Sequence, residues 1–477
     1  MIRYLLVFII LIFSIAYPQS TFQKTYGGIE EEYANAFVET YDGGFMIAAS
    51  TRSYGAGNYD LYIIRTNQYG DTIWTKTFGN ANYDYSHDII KTDSAEYLIG
   101  AYSGSAQDGN ILLLKIDDNG NVIWTKIVGT EENDHVERII KTSDGGFALC
   151  GDIESGFDYQ YLIWKFNSSG DSLWAKTYDF GRGMDIYQTT DGGYMMTVFP
   201  YAMLTSIYDF QLVKFNSIGD TLWTRFYGGP DVEVVYAGEQ TPDGGFIMAG
   251  RTDSYGNGYS DFYLIKTDEN GNPMWDKTFG GDQDDRAFSM SKTSDNGFII
   301  GGYTESFNVG YFDFYMVKTN SDGDTLWTRT YGDNWQEEIY DIKETADGGF
   351  AAIGYTHSFG AGTNPNIYFV KTDANGLITV IEENENISPN TFKLYQNYPN
   401  PFNPSTNISW QLPKAGNVEI ILFNCLGEEL EILVDEFQQA GLHSKFVTLN
   451  SKFPSGVYFY QLRSGNYIQT KKMIYLK

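Results

Sequence analysis

The stretch TPDGGFIMAG, residues 241–250, joins a glycine-rich turn to an apolar run. It reads either as a loop that cradles a ligand or as the bend of a hairpin, and the rest of the chain decides between them. Its aromatic, Phe246, has counterparts at Phe45, Tyr97, Phe147, Tyr194, Phe298 and Phe350, spaced 47 to 52 residues apart. Five positions before each aromatic stands a threonine: Thr40, Thr92, Thr142, Thr189, Thr241, Thr293 and Thr345. An internal repeat of this length means a propeller or a solenoid. Asp-Gly and Asn-Gly supply the positive φ angles of tight hairpins, so the turn is a bend within a repeated unit.

Each unit divides into four strand-like segments. The first ends at the threonine, and the second is apolar with small residues such as Ala48-Ala49, Gly100-Ala101 and Gly301-Gly302, which let neighbouring sheets approach closely. The third carries a basic residue (Arg65, Lys115, Lys165, Lys214, Lys266, Lys318, Lys371), with glycine five positions later in every copy. The fourth carries tryptophan at 74, 124, 174, 223, 275 and 327. The seventh unit lacks this fourth segment, and a spare copy, TFQKTYGG (21–28), precedes the first. A closed ring explains both facts, whereas an open solenoid would need polar caps. The expectation is an all-β, seven-bladed β-propeller over 17–376, its N-terminal strand completing the last blade.

The Gly-x-x-x-Trp ending resembles the tryptophan-docking repeat of quinoprotein-like propellers. The preceding Asp-x-x-Gly turn resembles the Asp-box of sialidase-type propellers. The whole unit is similar to propeller repeats of large secreted bacterial proteins. These resemblances imply blade fastening and fold rather than an activity.

Met1 to Ala16 has a positive start at Arg3, the apolar core LLVFIILIFSI (5–15) and small residues at Ser14-Ile15-Ala16. This is the pattern of a signal peptide cleaved between 16 and 20. No later run is long enough for a transmembrane helix. Cys150 and Cys425 cannot form a disulfide framework, and both read as buried small hydrophobes. The formal net charge of −29 lies outside the last 86 residues and argues against nucleic acid or anionic lipid as a partner. The mature chain is expected to be an exported monomer.

After an acidic linker, 377–391, a different pattern begins at 392. Prolines at 399, 401, 404 and 413 require an extended lead-in, and alternating segments to the end read as a small Ig-like β-sandwich. NYPNPFNP (Asn397, Pro399, Pro401, Asn403, Pro404), the GVYFYQL segment from Gly456 and the terminal KKMIYLK (Lys471, Lys472, Lys477) resemble the type A sorting domain of the type IX secretion system of Bacteroidetes and related bacteria. That resemblance implies that 392–477 engages the secretion machinery. It also implies delivery of the cargo through the periplasm to the outer-membrane surface or the medium.

Motifs for catalysis are weak. Four histidines are scattered, and neither a zinc pair nor a Gly-x-Ser-x-Gly elbow occurs. No cofactor is expected. The turns NSDGD (320–324) and DDNGN (117–121) are calcium candidates without the glutamate of an EF-hand loop. Thirteen residues before each aromatic, six units place a carboxylate at the entrance of the first segment: Glu32, Asp84, Asp134, Glu233, Asp285 and Glu337, with Gly181 in the fourth. Each either caps its own loop, pairs with a repeated lysine such as Lys76 or Lys277, or joins a ring around the channel mouth. Loops expected on that face carry Tyr54, Tyr255, Phe307 and Phe359, and the atypical fourth unit carries FPYAML (199–204). The favoured reading is a non-catalytic propeller whose mouth binds a glycan or protein. The alternatives are a polysaccharide hydrolase or lyase using carboxylates such as Asp134 with Asp285, and a structural surface-layer component.

Overall fold

The computed structural model describes residues 20–378 and 392–475, apart from 93–94, 106–107, 157, 179, 201–207, 361, 396, 398–401, 403–404, 439–440, 450–451 and 466. The signal segment, nearly all of the linker, most of FPYAML, and Pro399, Pro401, Asn403, Pro404 and Lys477 lie outside the described residues. The chain divides into two compact units, Met1–Thr379 and Val380–Lys477.

The first unit is seven antiparallel four-stranded sheets. In blade 5, Glu233–Gln240, Phe246–Thr252, Asp261–Thr267 and Pro273–Phe279 follow one another from the inside outward, and TPDGGF is the bend between the first two. The seventh sheet takes Glu337–Glu344, Phe350–Thr356 and Asn366–Thr372 from the end of the propeller and Phe22–Tyr26 from its start. Phe22 pairs with Lys371 and Tyr26 with Ile367, so the N-terminal strand closes the ring. The apolar core is correspondingly a set of seven packets, one at each junction between adjacent blades.

Two repeated devices explain the sequence pattern. The hairpin aspartate accepts hydrogen bonds from the threonine hydroxyl and the second glycine N–H, as Asp243 does from Thr241 (2.6 Å) and Gly245 (3.0 Å). It also receives the buried basic residue of the third strand, Lys266 (2.9 Å). Blade 2 has Ser94-Ala95-Glu96 in place of the Asp-Gly-Gly turn, and there Glu96 supplies the carboxylate to Lys115 (2.7 Å). The second device is the tryptophan, whose ring packs against the turn glycine of the next blade. A Cβ on Gly271, at φ +76°, would fall 2.7 Å from the Trp223 ring. At the ring closure Phe22 takes the tryptophan's place over Gly70. The docking therefore fastens blade to blade all round the ring.

The second unit packs Lys393–Leu394, Ser405–Leu412 and Gly441–Thr448 in one sheet and Gly416–Phe423, Glu429–Gln438, Gly456–Ser464 and Tyr467–Tyr475 in the other. Trp410, Tyr460 and Met473 are buried in its core, as in a small Ig-like sandwich. Asn397 is buried, donating its N–H to the Tyr460 hydroxyl (2.6 Å) and its amide to Thr406 (2.9 Å). Gly456 opens one strand, and Lys471 and Lys472 lie on the next. Cys150 is buried as expected, but Cys425 is exposed. It sits on a turn that Asn424 closes by accepting the N–H groups of Leu426 (2.9 Å) and Glu428 (3.0 Å), a position with no core to enter.

Candidate functional site at the channel mouth

Inner strands begin on the face formed by the long loops. Parallel bridges such as Ser260 to Asp284 and Phe312 to Gln336 tie the loop after the second strand to the entrance of the next blade. The six entrance carboxylates nevertheless form no ring at the mouth. All six are 0–1% exposed, and each accepts hydrogen bonds from its own surroundings. Glu233 takes the Thr252 hydroxyl (2.6 Å) and the Gly229 N–H (2.9 Å), and Glu337 takes Thr356 (2.6 Å) and Asp333 (3.1 Å). Glu32 binds Thr51 (2.7 Å) and Gly28 (2.8 Å). Asp285 takes Gly281 (2.8 Å) and Ser306 (2.7 Å), Asp134 takes Thr130 (2.6 Å) and Asp84 takes Asn80 (2.9 Å). Their acceptors hold loops together, so Asp134 and Asp285 have no access to a substrate. Tyr54 and Tyr255 latch loops through their hydroxyls to Gly27 and Gly228, while Phe307 and Phe359 rest on Tyr315 and Tyr368. None of these ten residues lines a channel cavity.

What faces the channel comes from an irregularity repeated seven times. Every inner strand carries a β-bulge between its third and fifth positions, and the extra residues are Asn35, His87, Glu137, Met184, Tyr236, Phe288 and Tyr340. A bulge leaves one residue unpaired and re-aims its side chain. All seven line one cavity of about 490 Å³ on the loop side, together with Tyr33, Ser50, Tyr85 and Arg138. A second chamber of about 620 Å³ opens toward the hairpin side, and Arg138 alone lines both. Arg138 is paired with Asp88 (3.6 Å) and Asp185 (3.4 Å). Burial raises the Asp185 carboxyl to about 6 despite that arginine.

The walls of the loop-side vestibule differ. Blades 5 to 7 and 1 supply aromatics in contact, with Tyr236 to Phe288 at 4.9 Å, Phe288 to Tyr340 at 6.3 Å, Tyr340 to Tyr355 at 5.8 Å and Tyr355 to Tyr33 at 5.3 Å between centroids. Blades 2 to 4 supply ionisable groups: His87 faces Glu137 (3.8 Å), and Arg182 bridges Glu137 (2.9 Å) and Asp152 (2.8 Å). Burial would raise Glu137, but His87 and Arg182 hold it below the ordinary glutamate value. Burial pushes Asp152 up to about 6 and His135 down to about 4. On the aromatic side burial lifts Glu338 to about 7, although the Tyr355 hydroxyl donates to it (3.1 Å).

Among the described residues no three His, Cys, Asp or Glu side chains gather as a metal site. The two turns considered for calcium close on themselves. Asp117 accepts the N–H groups of Asn119 and Asn121, and Asn320 those of Asp322 and Asp324.

A ring of seven four-stranded blades followed by a sandwich defines a β-propeller protein with an appended Ig-like domain. Residues 396–476 match the secretion system C-terminal sorting domain family. The chain is therefore exported by type IX secretion to the cell surface or the medium, and among the described residues no helix is long and apolar enough to cross a membrane. No curated protein matches the chain. Similar solved structures include the Dos1 propeller (12% identity, TM-score 0.40, 82% of this chain and 91% of that one). A COPII outer coat vertex chain is 10% identical (TM-score 0.49, 86% and 99%), and the polysaccharide lyase Uly1 is 12% identical (TM-score 0.45, 73% and 90%).

Proposed function

We propose that this exported propeller binds a neutral glycan, without turnover, in the loop-side vestibule. The supporting observation is the division of six of its seven bulged residues into an aromatic wall (Tyr236, Phe288, Tyr340) and a hydrogen-bonding wall (Asn35, His87, Glu137), with Met184 as the seventh. Sugar rings present apolar C–H faces to the first and hydroxyls to the second. The arginines here are already paired with carboxylates, and the acidic chain repels polyanions, so a neutral ligand fits best. Titration calorimetry of the purified protein against neutral glycans tests this. Tyr340→Ala should weaken binding about tenfold, the scale of one lost aromatic contact. Tyr255→Ala, away from the cavity, should leave binding intact.

A secreted hydrolase or lyase is the second reading, and one observation favours it. Glu338, raised to about 7 by burial among aromatics, holds a proton near neutrality as a general acid must. Polysaccharide cleavage that disappears in Glu338→Gln would replace the binding reading with this one.

A further inference from the structure

On the loop face one residue departs from the repeat without a structural cause. Two positions before the entrance residue stands Trp335, where the other six units carry Glu30, Asn82, Glu132, Asp179, Asp231 and Gln283, all polar. The scaffold uses only the backbone at this position. The Trp335 N–H donates to the Ser358 hydroxyl (3.0 Å), as Glu30 does to Ser53 (2.9 Å), Asp231 to Ser254 (2.8 Å) and Gln283 to Ser306 (3.0 Å). The fold therefore asks nothing of the indole.

Trp335 meets Tyr311, from the loop after the second strand of blade 6, in an offset stack with planes 11° apart and centroids 5.8 Å apart. Trp335 is 56% exposed and Tyr311 61%, so each keeps more than half of its surface in water. The two segments that carry them are locked together. Phe312 bridges to Gln336, a Cβ on Gly310 would fall 2.3 Å from the Asn334 backbone, and the Val309 N–H donates to Asp313 (3.0 Å). Large apolar groups fixed in water mark an interaction site, and one already ordered costs little to fill.

The faces of these rings carry negative charge density, which attracts the C–H face of a sugar. Asp333 and Asn334, next to Trp335 in the chain, and Asn308, on the loop of Tyr311, supply partners for hydroxyls. Phe307 and Val309 are the other exposed apolar residues of that loop. Four side chains fall well short of the about 800 Å² that a stable protein interface takes from each partner. Phe288 and Tyr340, from the same two blades, line the vestibule on this face. Resting on the glycan reading of that vestibule for the class of ligand, we infer that Trp335 and Tyr311 form a second, surface subsite for a neutral polysaccharide. A short oligosaccharide occupies the vestibule alone. A polymer engages both places and gains affinity from their linkage.

The test uses the full chain with insoluble cellulose, xylan, mannan and chitin, by depletion from solution, and with the disaccharide of each, by calorimetry. Trp335→Ala and, separately, Tyr311→Ala should each weaken polymer binding about tenfold, the scale of one lost aromatic contact, and leave disaccharide binding as in wild type. Tyr340→Ala should weaken both. Thermal melting checks that the variants fold. Polymer binding unchanged in both folded rim variants, or weakened only as much as disaccharide binding, overturns the surface subsite and leaves the glycan reading standing. Polymer binding that depends on Trp335 but not on Tyr340, with no disaccharide bound, overturns the vestibule reading and supports the subsite. Absence of binding across all four series overturns both.

Discussion

Gly145 and Gly170 belong to one blade, and both have positive φ, +83° and +78°. A Cβ on Gly145 would meet nothing within 4 Å, whereas one on Gly170 would fall 2.8 Å from the Trp124 ring. The first glycine serves only the turn, and the second serves the turn and the junction. Gly145→Ala should therefore cost about 1–2 kcal/mol, the left-handed backbone penalty alone. Gly170→Ala should cost about 1–3 kcal/mol more, because the docked ring must move. Urea denaturation of both variants measures the difference, and equal losses would show that the tryptophan contact carries no weight. Gly170 was legible because its counterpart is glycine in every copy, and Gly145 because its counterpart is glycine in five of the seven, with Ala95 and Asn296 in the other two. The entrance carboxylates were legible as a pattern but misjudged in direction. Successive side chains of a strand face opposite ways, so a shift of one residue exchanges buried for channel-facing positions. Glu32 is buried, while its neighbour Tyr33 lines the vestibule.

At the scale of the strand, the bulge is what sequence reading missed. Its residue lies ten positions before each hairpin aromatic, and its identity runs Asn, His, Glu, Met, Tyr, Phe, Tyr. Scaffold positions repeat because each blade solves the same packing problem, and a search for repetition finds them. An asymmetric ligand requires the opposite, so the channel positions are those where the repeat fails to repeat. The closing strand, by contrast, was fully legible from the missing seventh tryptophan segment and the spare N-terminal copy. Its key side chain is Phe22, which packs edge-on against Phe45 (6.1 Å) and Phe369 (5.4 Å). Phe22→Ala should destabilise the propeller by about 3–5 kcal/mol. Hydrogen exchange should then show protection lost first in the strands Glu32–Glu39 and Asn366–Thr372, on either side of the closure. Loss spread evenly over all seven blades would mean that the ring does not depend on its clasp.

On the scale of the whole molecule, two sets of carboxyl groups pull stability in opposite directions with pH. In the hairpin clips, hydrogen bonds from threonine and from the basic residue, arginine at Asp42 and lysine at the others, outweigh burial and hold Asp42, Asp191, Asp243 and Asp295 down at about 2, against 3.8 in the unfolded chain. A folded-state value below the unfolded one gives stability that is present above about pH 4 and lost as pH falls toward 2. At a second set of carboxyls, held by burial rather than by clips, the sign reverses. Burial raises Asp152, Asp185 and Asp313 to about 6 and Glu338 to about 7. Stability from these groups is full below about pH 4 and lost as pH rises through 6 to 7. Self-repulsion of an acidic chain, with a sequence pI near 4.4, acts in the same sense as pH climbs. The two limbs together predict a melting temperature that is highest near pH 4 and declines on both sides. Glu338→Gln, which removes the charge while its carbonyl still accepts from Tyr355, should raise the melting temperature at pH 8 and leave it unchanged at pH 4. A melting series from pH 2 to 9 on wild type and variant decides the matter. An optimum at pH 8, or a variant no more stable there, would show that these buried carboxyls are compensated when ionised.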